Sequence, residues 1–315
     1  MSWAPLCGAH FFNKNNNWHT YCFINHKSKY IAALGENRQK TGSSAKVKCN
    51  RRTVMNPALW VAKTGLDAQQ TRMSVVANNM ANSNTTGFKK DRAVFEDLIY
   101  QNYRQAGASS SATTNIPSGI NIGTGVKVVA TQKMHSQGNI AHTGNSLDIA
   151  ISGRGFFQVQ TPDGDIAYTR DGSFQVNESG QVVTSSGYLL DPNINVPDGA
   201  VSITVGTDGT VEAVTSSASA PQNLGTIQLA DFINPSGLQP MGENLFRETT
   251  GSGSPTTGTP GLSGLGRLNQ GMLESSNVNI AEEMVNMIET QRAYETNAKA
   301  ISATDQMMQY ANNNL

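Results

Sequence analysis

Cysteine is absent from most of this chain: Cys7, Cys22 and Cys49 are the only three, and all precede Met55. From Met55 onward no disulfide can form, so the fold must rest on burial and hydrogen bonding, and a thiol-free chain folds safely in an oxidising compartment. Long apolar runs are missing too. Nothing approaches the roughly 18 consecutive apolar residues of a membrane-spanning helix. The patch Ile31–Leu34 is far too short for the apolar stretch of a signal peptide. After Met55 the only histidines are His135 and His142, and neither has a Cys or Glu motif beside it, which argues against metal or acid–base chemistry. No G-x-S-x-G elbow or phosphate-binding loop occurs. Gly153-Arg154-Gly155 has no third glycine and no βαβ context, so it fails as a dinucleotide fingerprint. Asp163, Asp165 and Asp171 lie near glycines but break the D-x-D-x-D-G spacing of a calcium loop, and turn chemistry accounts for them. No catalytic residue, cofactor or metal ligand is expected.

The formal net charge of zero hides an asymmetry. Residues 1–54 hold nine Lys or Arg and one acid, Glu36, leaving 14 basic against 22 acidic residues in the rest. An excess of acid there disfavours nucleic acid as a partner. Residues 1–54 also mix an Asn run, Asn13–Asn17, with scattered aromatics and no apolar period. Their cysteines and His10, His19 and His26 match no zinc-ligand spacing. This segment is expected to be a leader outside the fold, arising from start-site choice, with Met55 as the functional first residue.

What is present is a pair of seven-residue apolar patterns at the two ends. Leu59, Ala62, Leu66, Gln69, Met73, Val76 and Met80 step by threes and fours along one helical seam. Ile280, Met284, Met287, Gln291, Tyr294, Ala298, Ile301 and Met308 repeat the pattern near the C-terminus. A helix with an apolar stripe facing water is marginal alone, so each needs a partner helix. Pro57, with Asn56 as its cap, opens the first helix, predicted over 57–82. Asn82-Ser83-Asn84-Thr85-Thr86-Gly87 closes it through local side-chain bonds and a left-handed glycine. Phe88 and Phe95 begin an extended or short helical segment.

Residues 101–125, rich in Gly, Ala, Ser, Thr and Asn, read as a flexible loop. From Val126 the apolar period becomes two, and turn signals recur at Pro162-Asp163-Gly164, Arg170-Asp171-Gly172, Ser185-Ser186-Gly187 and Thr207-Asp208-Gly209. Such spacing predicts an antiparallel all-β domain over 126–248. Residues 249–270 read as a Gly/Ser/Pro linker and return strand, and Ser276 or Asn277 as the cap of a C-terminal helix within 271–315. The expected class is α+β: terminal helices paired in a coiled-coil-like layer, with a central antiparallel all-β domain.

The run Asn79-Met80-Ala81-Asn82-Ser83-Asn84-Thr85-Thr86-Gly87-Phe88 closely resembles the N-terminal signature of bacterial flagellar rod and hook proteins. Glu283–Glu295, with Met287, Ile288, Gln291, Arg292 and Tyr294, resembles that family's C-terminal motif. Leu147–Phe157 and Tyr168–Phe174 resemble its shared core. Leu59–Leu66, Gly87–Lys90 and Phe95–Tyr100 look most like the distal rod members, the proximal rod or hook-type members being the alternative. The resemblance implies a non-catalytic subunit exported without a cleaved signal peptide and polymerised beneath a rod cap into a rigid shaft. It implies as partners further copies of the chain, the proximal rod proteins, the hook, the surrounding basal-body rings and the flagellar export apparatus. It places the polymer across the periplasm and outer membrane. On this reading self-assembly falls to Leu59, Leu66, Met73, Val76, Asn79, Met80, Asn82, Asn84, Thr86, Gly87 and Phe88, and in the last helix to Ile280, Met284, Met287, Ile288, Gln291, Arg292, Tyr294, Ile301 and Met308. A secreted enzyme and a surface binding module are the rivals; only the rod reading predicts fibres by electron microscopy.

Overall fold

The computed structural model describes residues 57–107, 109, 116–216 and 218–314, so the expectation for residues 1–54 lies outside the described residues. Helix α1 (Pro57–Ala81) opens on proline, whose fixed φ and missing N–H suit a first turn. Its exit is held by side chains: Asn82 Nδ2 donates to the Asn78 carbonyl at 3.0 Å, and Thr85 Oγ1 to Asn82 Oδ1 at 3.2 Å. Gly87, at φ +66°, then turns the chain into the next segment.

That segment is extended. β1 (Asp91–Asp97) and β2 (Tyr100–Arg104) run outward, and β3 (Ile120–Gly123) and β4 (Val126–Lys133) run back, with β1 on β4 and β2 on β3 antiparallel. Within residues 101–125, expected as a flexible loop, the described residues therefore include two paired strands of a long hairpin. The local composition hid this because strand pairing is a non-local contact, and the ribbon buries little surface of its own.

β5 (Ile140–His142) and β6 (Ile149–Ser152) lead into the β domain. β7 (Phe156–Gln160) is the centre of a nine-stranded sheet, paired with β8 (Ile166–Thr169) on one side. β9 (Phe174–Val176), β10 (Val182–Thr184) and β11 (Leu189–Asp191) extend its other side. β12 (Ala200–Val205), β13 (Thr210–Thr215) and β14 (Ala218–Thr226) form a separate three-stranded meander. β15 (Leu229–Asp231) rejoins β7, and β16 (Gln239–Gly242) and β17 (Leu245–Arg247) close the β8 edge. β18 (Thr256–Gly258) pairs with β15, so residues 249–266, expected as a linker, belong to the domain. Finally β19 (Arg267–Gln270) pairs with β6 and β20 (Met272–Glu274) with β5.

Successive residues of a strand face opposite sides, and β7 buries both. Phe157 joins Phe174, Leu190, Ile194, Leu229 and Leu268 in one cluster, while Phe156 joins Tyr168, Phe232, Leu238 and Phe246 in another. The ring pairs Phe157–Phe174 and Tyr168–Phe232 stand edge-to-face at 5.1 and 4.8 Å.

Helix α2 (Ile280–Asn313) is capped by Asn279, whose Oδ1 accepts the Ala281 N–H at 3.1 Å. The expected caps Ser276 and Asn277 are not used so. Asn277 instead accepts the Lys90 N–H at 2.7 Å and donates to the Met134 carbonyl at 2.8 Å. α1 and α2 pack antiparallel, with Asn79 opposite Glu283 and Gly65 opposite Asn297. At about 1.5 Å per residue, the 34 residues of α2 outreach the 25 of α1.

Gly87 leaves no room for a side chain: a Cβ there would sit 2.8 Å from the Asp171 nitrogen, in a left-handed backbone. Gly87→Ala is expected to destabilise the fold by about 3 kcal/mol, combining the left-handed penalty with overpacking. Urea denaturation of the purified protein checks this, and an unchanged midpoint would refute it.

Candidate self-association surface and the junction behind it

The seam between α1 and α2 is built largely from small and polar groups. On α1 it buries Ala68, Val76 and Asn79; on α2 it buries Glu283, Thr290 and Thr304, with Asn297 half-buried against Gly65. Residues 283, 290, 297 and 304 are spaced by sevens, the period of a two-helix seam. The threonines tolerate burial because their hydroxyls donate back along their own helix, Thr290 to the Asn286 carbonyl at 2.6 Å and Thr304 to that of Ala300 at 2.8 Å.

The apolar side chains of α2 spread from beside the seam, with Tyr294 about 20° from Glu283, round to Ile288 at about 140°, and much of this side faces solvent. Met284 is 52% exposed, Ile288 47% and Tyr294 46%; Ile280, Gln291, Arg292 and Met308 are exposed as well. Met287 and Ile301 are half-buried. On α1 the pattern behaves differently: Leu59, Leu66, Met73 and Met80 are half-buried and Val76 is buried, so this stripe leans on the rest of the chain.

The signature after α1 builds a junction. Asn79 donates to the Asp91 carbonyl at 2.9 Å and accepts the Asp91 N–H at 2.8 Å, which fixes β1 beside the helix. The Gly87 N–H donates to the Glu274 carbonyl at 2.8 Å, and Asn244 Nδ2 to the Thr86 carbonyl at 3.1 Å. Phe88 packs under the Lys133 ammonium, 5.2 Å from its ring centre. Asn82 and Phe88 are half-buried, and Asn84 is exposed.

Behind these contacts lies a buried ionic cluster. Glu274 is bracketed by Lys89 Nζ and Arg170 Nε, each at 2.7 Å, and all three side chains are almost fully buried. Glu274 Oε1 also accepts the Gly138 N–H at 2.7 Å. Lys89 donates to the Ser136 carbonyl at 2.9 Å, and Arg170 to the carbonyls of Gly153, Gly155 and Ile151. The positive φ of Gly153 and Gly155 belongs to this arrangement, their carbonyls turned onto the guanidinium. Burial favours the neutral form of Glu274, but the charges of Arg170 and Lys89 outweigh it and hold the carboxyl below the usual range. Burial lowers the Lys89 ammonium, and Glu274 offsets only part of that.

The structure thus divides the residues expected to carry assembly. Met284, Ile288, Tyr294 and their exposed neighbours form an outward surface, whereas Asn79, Thr86, Gly87 and Phe88 hold the chain to itself. Lys89, Arg170 and Glu274 were not foreseen. The only local hint was that Lys89 extends the signature and Arg170 opens a turn.

Helices paired through a polar seam, carrying a free apolar flank and locked onto an antiparallel domain, define a structural subunit of an assembly. Three family models match in the order expected of one such class: flagella basal body rod protein over residues 59–89, the flagellar hook protein FlgE/F/G D1 domain over 150–213, and the flagellar basal body rod FlgEFG protein C-terminal region over 269–314. The chain belongs to the flagellar basal-body rod protein family, in its distal-rod branch, and is a structural rod subunit of the bacterial flagellum. It is 56% identical to the flagellar basal-body rod protein FlgG of Buchnera aphidicola subsp. Schizaphis graminum, over 81% of this chain and 98% of that protein. The FlgG proteins of Borreliella burgdorferi and Bacillus subtilis are 49% and 37% identical, over 82% and 80% of this chain and 98% and 96% of their own lengths.

Replacing Glu274 by Gln leaves two buried cations facing a neutral amide. Glu274→Gln is expected to cost about 3–5 kcal/mol at pH 7. The native carboxyl titrates below its ordinary value of 4.5, so this contribution is complete above pH 4.5 and is lost as pH falls through the lower native value. The difference in urea midpoint between wild type and variant should therefore shrink on acidification below pH 4.5. A difference that persists unchanged to pH 2 would refute the ionic account.

Proposed function

We propose that the subunit polymerises by covering its exposed apolar surfaces with those of neighbouring copies, building a rigid shaft that carries torque from motor to hook. The observation behind this is that Met284, Val285, Ile288 and Tyr294, large side chains of α2, are left in solvent. Covering them contributes about 1 kcal/mol per half-exposed side chain. Repeated head-to-tail, such contacts generate an open helical filament.

The hairpin adds a second surface. Ile99, Tyr100, Tyr103, Ile120 and Ile122 are exposed along it, and a two-stranded ribbon is marginal in isolation. Lodged between subunits, it stiffens the shaft. The work is mechanical, with no catalytic step assigned to any residue. The partners are copies of the chain, the proximal rod proteins, the hook, the surrounding rings and the rod cap. The route is export through the flagellar apparatus without a cleaved signal peptide, to a site crossing the periplasm and outer membrane. No helix among the described residues is long and apolar enough to cross a membrane.

Met287 and Ile301 are half-buried, so charging them would disturb the subunit itself. Met284 and Ile288 are the cleaner probes. The double variant Met284→Asp and Ile288→Asp is expected to keep its circular dichroism spectrum and lose polymerisation, scored by electron microscopy and by motility. Normal filaments from that variant would refute the flank as the assembly surface. Deleting residues 101–125 is expected to leave the β domain folded and give curved or flexible polymers; straight, stiff ones would remove the stiffening role of the hairpin.

A further inference from the structure

We propose that His135 makes the junction between the helical layer and the β domain an acid-sensitive hinge. His135 lies in the segment between β4 and β5 that passes through the junction. That segment is held on several sides: the Met134 carbonyl accepts from Asn277, the Ser136 carbonyl from Lys89 and Asn277, and the Gly138 N–H donates to Glu274. The imidazole stands edge-on to two rings of the β domain, Phe156 at 5.6 Å and Phe246 at 5.8 Å. Both ring nitrogens are shielded from solvent and make no well-formed hydrogen bond. As a filler between two phenyl rings a histidine is a poor choice, since each buried unpaired polar atom costs free energy that an apolar ring avoids.

The surrounding charges give the ring its consequence. Lys89 from the signature, Lys133 from β4 and Arg170 from the turn after β8 all act on it, and the Pro235 backbone opposes them only in part. The nearby carboxylates are committed, Glu274 to Lys89 and Arg170, and Asp91 to Lys133 at 3.0 Å. An imidazolium here would be a further cation, and both of these carboxylates already hold a partner. Burial first, and then Lys89, Lys133 and Arg170, lower the pKa of the closed junction from 6.5 to about 4. The closed state therefore holds a neutral ring, whereas an opened junction exposes a ring of ordinary basicity. Falling pH favours the open state, and between pH 7.5 and pH 5 the open-to-closed ratio rises about 30-fold. His135 packs on Phe156 and Phe246, members of one β-domain cluster, while the larger cluster around Phe157 and Leu268 is separate from it, so the β domain keeps that core while its attachment to the helices loosens.

Native-state hydrogen exchange on the purified full chain, corrected for the intrinsic pH dependence of exchange, tests this. Protection at the Gly87, Lys90 and Gly138 amides is expected to fall about 30-fold between pH 7.5 and pH 5, with the Phe157 and Val159 amides unchanged. In His135→Phe the junction amides should lose this pH dependence. Junction protection that does not change in the wild type, or that falls equally in the variant, would overturn the proposal. Should the variant not fold, NMR titration of His135 in the wild type decides: a native ring titrating near 6.5 overturns the hinge, and one titrating near 4 supports it. The outcome is independent of whether the Met284 flank drives polymerisation.

Discussion

Glu274, buried between Lys89 and Arg170, is the constraint on which the arrangement of the other parts depends. The three charges come from three distant stretches: the signature after α1, the turn after β8, and the last strand before α2. None can be buried alone, because an unpaired ion in that position costs several kcal/mol. The junction is therefore complete only when both ends of the chain and the β domain have arrived. A buried ion pair adds little net stability over an apolar contact of the same shape, and its contribution here is registry. It fixes where the helices leave the domain, as the Asn79 and Asn277 bonds do at the edge of the same cluster.

Much of this was readable in one dimension. The sevenfold periods announced both helices, and the recurring Gly and Asp turns announced the antiparallel domain. The errors share a physical cause. Residues 101–125 and 249–266 look like linkers because their Gly, Ser and Thr content reports only local preference, while the pairing of β2 with β3 and of β15 with β18 is decided by distant partners. The cap of α2 was misplaced by two residues because Asn277 had a stronger use elsewhere. The ionic cluster left little local trace: Lys89 and Glu274 are 185 residues apart, and Arg170 and Glu274 are 104 apart.

The seven-residue patterns were sound as evidence of helices but ambiguous about which faces meet. A period identifies a stripe and not its partner. In α1 the stripe leans inward; in α2 most of it faces out, and the inward seam uses residues that the apolar count passed over, Glu283, Thr290, Asn297 and Thr304. Polar residues with seven-residue spacing carry as much structural information as apolar ones, provided each polar atom has a local partner. The backbone-bonded threonines meet that condition.

This division of faces sets how much stability the helical layer draws from its own chain. A seam of Leu and Ile would satisfy both helices inside one chain and leave neighbours little to offer. A seam of Ala, Gly, Thr and Asn buries less apolar surface, so the helical layer draws less stability from its own contacts. Large side chains of α2, Met284 and Ile288 among them, stay exposed among the described residues. The β domain, by contrast, buries two clusters of its own. The junction at Glu274 ties these two differently packed parts into one molecule, transmitting position from a closed β core to helices that keep part of their apolar surface in solvent.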